Sequence, residues 1–138
     1  MGVFVTPLFA SLLALLYMVL TVRVIKARGT EHIGLGDQGN ERLLRRMRAH
    51  SNCAEYVPFA LLLILMLELM GAAGWLLYGL GFTLLIGRVG HAYGFSREPE
   101  IGNLRVAGMI LTFGVIGVAA LANLLLAMDG AVAGTPVN

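Results

Sequence analysis

Charged residues are scarce in this chain: 13% of its 138 residues are Asp, Glu, Lys or Arg, whereas 58% are apolar. A soluble domain carries about 25% charged and about 45–50% apolar residues. The composition therefore excludes a water-soluble enzyme with a polar shell. One cysteine, Cys53, leaves no partner for an intrachain disulfide bond and excludes a disulfide scaffold. The histidines show no metal-ligand spacing, so we predict no metal site.

Basic residues are missing from residues 1–22, 49–87 and 106–138. The ten that exist fall between positions 23 and 48 or between positions 88 and 105. A nucleic-acid-binding protein would carry them on a hydrophilic module, and no such module remains, so we predict no nucleic-acid partner. By the positive-inside rule both basic loops face the cytoplasm and both termini lie outside. Glu68 is then expected at the outer surface.

The charge-poor runs predict four membrane-spanning helices within one domain, residues 1–138. We place the spans at about residues 3–26, 41–70, 74–95 and 103–128, the second including a cytoplasmic extension that Asn40 caps. About 20 apolar residues cross a ~30 Å hydrocarbon core. Backbone polar groups in lipid must be satisfied within the helix. The sequence therefore predicts an all-α integral membrane protein, a bundle of four transmembrane helices.

Four polar side chains share one face of the second helix just before its apolar run: Arg45, Arg48, Asn52 and Glu55, spaced 3, 4 and 3. A guanidinium binds a carboxylate, a carboxylate binds an ammonium, and an amide bridges peptide groups. This set suits a zwitterionic ligand. The alternative is a group of solvated residues at a helix end. The carboxylate of Glu55 argues against that alternative, because an unpaired charge beside lipid is costly.

Arg88, His91 and Phe95 share one face of the third helix. An ionisable residue inside a membrane span indicates a functional site. The alternative for Arg88 is an ion pair with Glu55 that only joins the second and third helices.

Further basic residues are expected near the same end of the bundle. Arg105 begins the fourth helix, Arg97 in the preceding loop competes for its role, and Arg28 ends the first helix. Basic residues gathered at one interface favour an anionic ligand.

Two segments resemble the signatures of a known family. The sequence R-A-H-S-N-C-A-E-Y-V-P over residues 48–58, preceded by Glu41 and Arg42, resembles the helix-two signature of the membrane-associated proteins in eicosanoid and glutathione metabolism (MAPEG). The sequence G-R-V-G-H-A-Y-G-F over residues 87–95 resembles the helix-three signature of the bacterial branch. The resemblance covers nearly the whole chain.

The resemblance implies a homotrimer of four-helix subunits that binds glutathione between subunits near the cytoplasmic side. The implied thiolate-stabilising residue is Arg105. Phe95 stands where several eukaryotic members have a tyrosine, and Tyr93 lies two residues away on another face. The implied glutathione contacts are Arg28, Arg48, Asn52, Glu55, Tyr56, Arg88, His91 and Tyr93.

Ser51 and Val106 depart from the prostaglandin synthase branch, which has an arginine and a serine at these positions. The resemblance therefore implies a membrane-bound glutathione transferase acting on hydrophobic electrophiles from the bilayer, with lipid-hydroperoxide peroxidase as a further activity. The alternative is a non-enzymatic lipid-binding or scaffolding protein of the same fold. A small transporter is disfavoured, because the charges gather at one interface rather than at the bilayer midplane. The family also implies a bacterial inner membrane location.

Overall fold

Four α-helices make up the computed structural model, which describes residues 2–97 and 99–132. In chain order they are α1 (Val5–Glu31), α2 (Glu41–Leu69), α3 (Gly74–Ser96) and α4 (Gly102–Val132). The part of the chain described contains no β-strand. The predicted all-helical fold is confirmed. Short connections make neighbouring helices antiparallel, as in other helical bundles.

Three of these helices, α1, α2 and α4, are long and apolar enough to cross a membrane. Helix α3 has 23 residues, which corresponds to about 35 Å at the α-helical rise. It is not one of those three helices, and it contains six glycines, Arg88 and His91. Both polar side chains are buried inside the bundle, so they do not meet lipid. The chain is an integral, multi-pass membrane protein.

The surface of the bundle is apolar. Leu15 on α1, Ile86 on α3 and Ile110 on α4 are each more than 60% exposed. Soluble proteins rarely expose contiguous apolar patches of this kind, whereas lipid tails cover such side chains at no cost. The exposed aliphatic residues are therefore the lipid-facing side of the helices or their contacts with other chains.

Helices α3 and α4 approach closely at glycines. A Cβ atom added at Gly108 would lie 2.8 Å from the backbone nitrogen of His91 and closer still to the carbonyl oxygen of Gly87. One added at Gly94 would lie 2.9 Å from the backbone nitrogen of Arg105. Small residues allow this approach where lipid supplies no hydrophobic drive. The contact fixes the register of α3 against the start of α4.

The N-terminus of α1 is capped by a side chain from the end of α2. Glu68 accepts hydrogen bonds from the backbone N–H groups of Phe4, Val5 and Thr6, all at 2.7 Å. The first N–H groups of a helix have no partner within it, and a negative charge is favourable there. The side chain of Glu68 is buried against the start of α1.

The start of α2 follows the sequence expectation. The side chain of Asn40 accepts a hydrogen bond from the backbone N–H of Leu43 at 2.9 Å. This bond satisfies one of the free donors of the first turn. Asn40 is thus confirmed as the N-cap of α2.

Candidate functional site

The polar face of α2 points away from the core of the chain. Arg48 and Glu55 are exposed, and Asn52 between them is half-buried. Asn52 donates its side-chain N–H to the carbonyl of Arg48 at 2.9 Å. Within the described residues, no oppositely charged group lies within ion-pair distance of Arg48 or Glu55. We call these three residues the α2 stripe.

The depth of the α2 stripe follows from the helix beside it. The His50 ring stacks on Tyr17 with ring centres 4.6 Å apart, and its Nε2 lies 3.1 Å from the hydroxyl of Thr21. Thr21 precedes Arg23, the first charged residue of α1. Glu55 lies about 7–8 Å deeper than His50 at the helical rise. The α2 stripe therefore reaches the level of the apolar part of α1, where unpaired charges need water or another protein surface.

Arg88 is 1% exposed and joins three helices. Its guanidinium donates to the carbonyl oxygen of Asn52 on α2 at 3.5 Å and to that of Gly108 on α4 at 3.4 Å. The sulfur of Met109 lies 3.2 Å from the same group, while Nε is buried with no partner among the described atoms. The ion pair between Arg88 and Glu55, the alternative considered from the sequence, is not formed.

His91 lies one turn further along α3 and contacts the start of α4. Its Nδ1 is 3.1 Å from the carbonyl oxygen of Arg105, and its Nε2 is buried without a partner in the described part of the chain. The ring centre lies 5.7 Å from that of Phe95. His91 therefore fixes the backbone of Arg105.

The side chain of Arg105 is held from two sides and remains 38% exposed. It forms an ion pair with Glu100 at 2.7 Å, and its guanidinium carbon lies 5.2 Å from the centre of the Phe95 ring. The sequence did not indicate Glu100 as a partner of Arg105. Glu100 precedes α4, and a separation of five residues between the two is not a helical spacing. A guanidinium has five N–H donors, so Arg105 keeps donors beyond those that Glu100 accepts.

The side chains of three predicted site residues, Arg28, Tyr56 and Tyr93, form no hydrogen bond, ion pair or ring contact with those of Arg48, Asn52 or Glu55 among the described residues. Arg28 donates to the carbonyl oxygens of Ile33 at 3.3 Å and Gly36 at 3.0 Å, which holds the α1–α2 loop. The ring of Tyr56 packs edge-on against Phe113 of α4, with centres 5.4 Å apart.

Tyr93 is exposed on the far face of α3, where its hydroxyl accepts a hydrogen bond from Arg97. This contact turns Arg97 toward Tyr93, whereas Arg105 lies beside His91 and Phe95. Of the two arginines, Arg105 therefore lies nearer the buried cluster.

An apolar groove runs along α1 and α2 next to the α2 stripe. It has a volume of about 370 Å³. Cys53 and Ala54, which separate Asn52 from Glu55 in the sequence, line one wall. The groove brings a surface suited to an apolar molecule beside the polar residues. Its lining residues are mainly small or aliphatic: Ala10, Leu13, Ala14, Tyr17, Cys53, Ala54, Val57, Pro58 and Leu61.

The structure thus joins part of the predicted site. Arg88 of α3 contacts the backbone carbonyl of Asn52 on α2, and His91 of α3 contacts that of Arg105 on α4. Arg48 and Glu55 lie on α2 to either side of Asn52 and form no ion pair within the described residues. The residues described hold no cluster of three or more potential metal ligands. The exposed guanidinium of Arg48 and carboxylate of Glu55 can bind a ligand that carries both signs of charge.

Comparisons with known proteins identify the family of the chain. A sequence model of the MAPEG family matches residues 6–125. The chain is 37% identical over 120 residues to the inner membrane protein YecN of Escherichia coli strain K12, which covers 87% of this chain and 90% of that protein. The YecN protein of an Escherichia coli O6:H1 strain matches with the same identity and coverage.

Proposed function

Because the chain belongs to the MAPEG family, we propose that it is a membrane-bound glutathione transferase. It conjugates the glutathione thiolate to hydrophobic electrophiles and can also reduce lipid hydroperoxides. One observation carries the proposal: at the depth of the apolar part of α1, Arg48 and Glu55 present opposite charges that form no ion pair with any residue the structure describes. A zwitterionic ligand satisfies both charges at once.

The α2 stripe also supports a homotrimer. Charges at this depth cannot face lipid, and the chain itself does not cover them. A neighbouring copy that packs against α2 would enclose the α2 stripe in a water-filled site between subunits. In this proposal glutathione is bound at each interface and Arg28 in the last turn of α1 borders it.

Glutathione matches the side chains available. It carries two carboxylates, an ammonium, peptide groups and a thiol. Arg48 binds a carboxylate, Glu55 the ammonium and Asn52 a peptide group, with the hydroxyl of Tyr56 at the edge of the site. Arg88 and His91 are nearly fully buried, so they act mainly by fixing the backbones of Asn52 and Arg105. Tyr93 faces away and is the weakest of the proposed contacts.

Arg105 is the proposed catalytic residue. A free thiol has a pKa of about 8.5, and only the thiolate is nucleophilic. Lowering that pKa by about two units requires roughly 2.7 kcal/mol of preferential stabilisation of the anion. A fixed guanidinium at a partly dehydrated interface supplies stabilisation of this size. The thiol proton passes to water, the sulfur bonds to the electrophilic carbon, and the leaving group departs with its electron pair.

The bilayer supplies the second substrate. A hydrophobic electrophile or lipid hydroperoxide partitions into lipid and reaches the sulfur along the apolar groove between α1 and α2. Lipid also occupies that groove between turnovers. The relatives are inner membrane proteins by name, and we infer the same location here. The basic loops then face the cytoplasm, which contains glutathione, and both termini face outward.

The test compares Arg105→Ala with Arg97→Ala in purified protein. The proposal expects turnover of a chlorinated nitrobenzene to fall about 100-fold in Arg105→Ala, the effect of losing one charge-stabilising donor. Arg97→Ala is the matched control, because it removes an arginine whose side chain is held by Tyr93. The ultraviolet absorbance of bound thiolate should disappear in Arg105→Ala and remain in Arg97→Ala. Equal loss in both variants would contradict the assignment.

Calorimetry distinguishes the alternative function, a non-enzymatic lipid-binding protein, which the apolar groove favours. Glutathione titrated into the wild type should release heat, and Glu55→Gln should weaken binding at least tenfold. No heat in the wild type, together with retained phospholipid, would favour the lipid-binding protein.

A further inference from the structure

A polar pocket lies outside the candidate site. It has a volume of about 230 Å³ and is located between the first turns of α2 and the end of α3. Its walls are four arginines and a serine: Arg42, Arg45, Arg46, Ser96 and Arg97. We call it the arginine pocket. A water molecule occupies about 30 Å³ in the liquid, so the pocket has room for a phosphate group with a few waters.

Protein contacts hold three of the four guanidiniums in place. Arg45 donates to the carbonyl oxygen of Arg97 at 3.5 Å. Arg46 donates to the carbonyl oxygen of Arg23 at 3.4 Å. Arg97 donates to the hydroxyl of Tyr93, and its guanidinium carbon lies 4.7 Å from the centre of that ring. These bonds leave most N–H donors of each group free, so the donors are positioned before a ligand arrives.

The charge of the arginine pocket is poorly compensated. Among the described residues one carboxylate pairs with its arginines: Glu41 lies 3.4 Å from Arg45 and its side chain is 81% exposed. An exposed pair of this kind contributes little. Several positive charges around one cavity repel one another unless an anion joins them. The planar fork of a guanidinium matches phosphate oxygens in bidentate geometry.

The depth of the arginine pocket matches a lipid headgroup. Arg46 contacts the carbonyl of Arg23, the residue at which the charge-free run of α1 ends. Arg97 follows Ser96, the last residue of α3. The pocket therefore lies where two neighbouring helices leave the hydrocarbon. Basic pockets between helices at this level bind anionic headgroups.

We propose that Arg42, Arg45, Arg46 and Arg97 bind the phosphate group of an anionic phospholipid. The proposal does not depend on glutathione chemistry, because none of these four arginines belongs to the α2 stripe.

The test uses the full-length protein in detergent and native mass spectrometry. The protein is titrated with phosphatidylglycerol, with phosphatidylcholine and with inorganic phosphate. The variant is Arg46→Gln/Arg97→Gln, which removes one guanidinium from each wall. The matched control is Lys26→Gln, which removes a positive charge from the same end of the bundle but not from the pocket lining. Circular dichroism checks that both retain helical content.

Wild type should bind phosphatidylglycerol in preference to phosphatidylcholine. Each arginine contributes roughly a fivefold effect near an anionic surface, so the double variant should bind phosphatidylglycerol about 25-fold more weakly. Lys26→Gln should change affinity by less than about fivefold. The variant Arg46→Lys/Arg97→Lys keeps the charges and should retain part of the affinity.

Three results would overturn the proposal. The first is equal binding of both lipids by the wild type. The second is a loss in Lys26→Gln as large as in the double variant, which would indicate general surface charge. The third is binding of inorganic phosphate without phosphatidylglycerol, which would assign the pocket to a soluble anion.

Discussion

Two glutamates near opposite ends of the membrane part of α2 have opposite environments. Glu68 is buried and accepts three hydrogen bonds from the first backbone N–H groups of α1. Glu55, about 20 Å away along the same helix, is exposed and forms no ion pair within the described residues. Both interrupt an apolar environment where a charge is expensive.

The difference separates a structural charge from a functional one. Backbone N–H groups of α1 replace the water that Glu68 loses on burial. These hydrogen bonds offset the free-energy cost of burying its charge. Glu55 has no such compensation among residues 2–97 and 99–132, and in our proposal a bound ligand supplies it. Arg88 resembles Glu68 in part, since backbone carbonyl groups accept from two of its donors while its Nε keeps no partner among the described atoms. Arg48 belongs with Glu55.

The largest expected effect comes from removing the satisfied charge. Glu68→Ala leaves three backbone N–H groups without their acceptor, and each orphaned donor costs about 1–3 kcal/mol when buried. Because the helix end can recruit some water, we expect the free energy of unfolding in micelles to fall by about 3 kcal/mol. Glu55→Ala is the matched control and should change stability far less. Equal losses at both positions would remove the distinction drawn above.

A smaller effect is expected where α3 and α4 touch. Gly108→Ala introduces a Cβ atom against the backbone of α3, so the helices must separate. Overpacking costs about 1–3 kcal/mol, and we expect a loss of about 2 kcal/mol with weaker positioning of Arg105. The control is Gly114→Ala on the same helix, where nothing lies within 4 Å of the added atom. That change should leave stability unchanged or raise it by up to ~1 kcal/mol. Equal behaviour of both variants in thermal unfolding would contradict a tight contact.

The smallest effect on stability is expected at the unsatisfied charge. Glu55→Gln should alter the free energy of unfolding by less than about 0.5 kcal/mol, the usual range for a surface change. Glutathione at 100 times its Kd should stabilise the wild type by about 2.7 kcal/mol. At the same concentration a tenfold weaker variant should gain only about 1.4 kcal/mol. Thermal unfolding with and without glutathione measures both quantities. Full ligand stabilisation of the variant would exclude Glu55 from the site.

Local rules explain why much of the molecule was predictable. Charge-free runs indicated the helices, Asn40 was identified as a cap by its residue type and place, and the spacing of Arg48, Asn52 and Glu55 put them on one face. The contacts of Glu68 and Glu100 were not predictable, because their partners lie on other elements at separations that follow no helical period. The sequence identified Arg88 as important, but the ion pair with Glu55 that it suggested as an alternative is not formed. Arg88 donates instead to backbone carbonyl groups, which no sequence pattern indicates.

The sequence by itself determined the membrane class, the helical fold, the family and which side chains share a face of α2. These properties depend on hydropathy, helical periodicity and a local motif, which all act over short distances along the chain. The tertiary structure alone decided which charges are satisfied. Compensation of a charge depends on the backbone groups that packing brings within hydrogen-bond distance: packing of α1 on α2 does so for Glu68, and packing of α3 on α4 does so for Arg88.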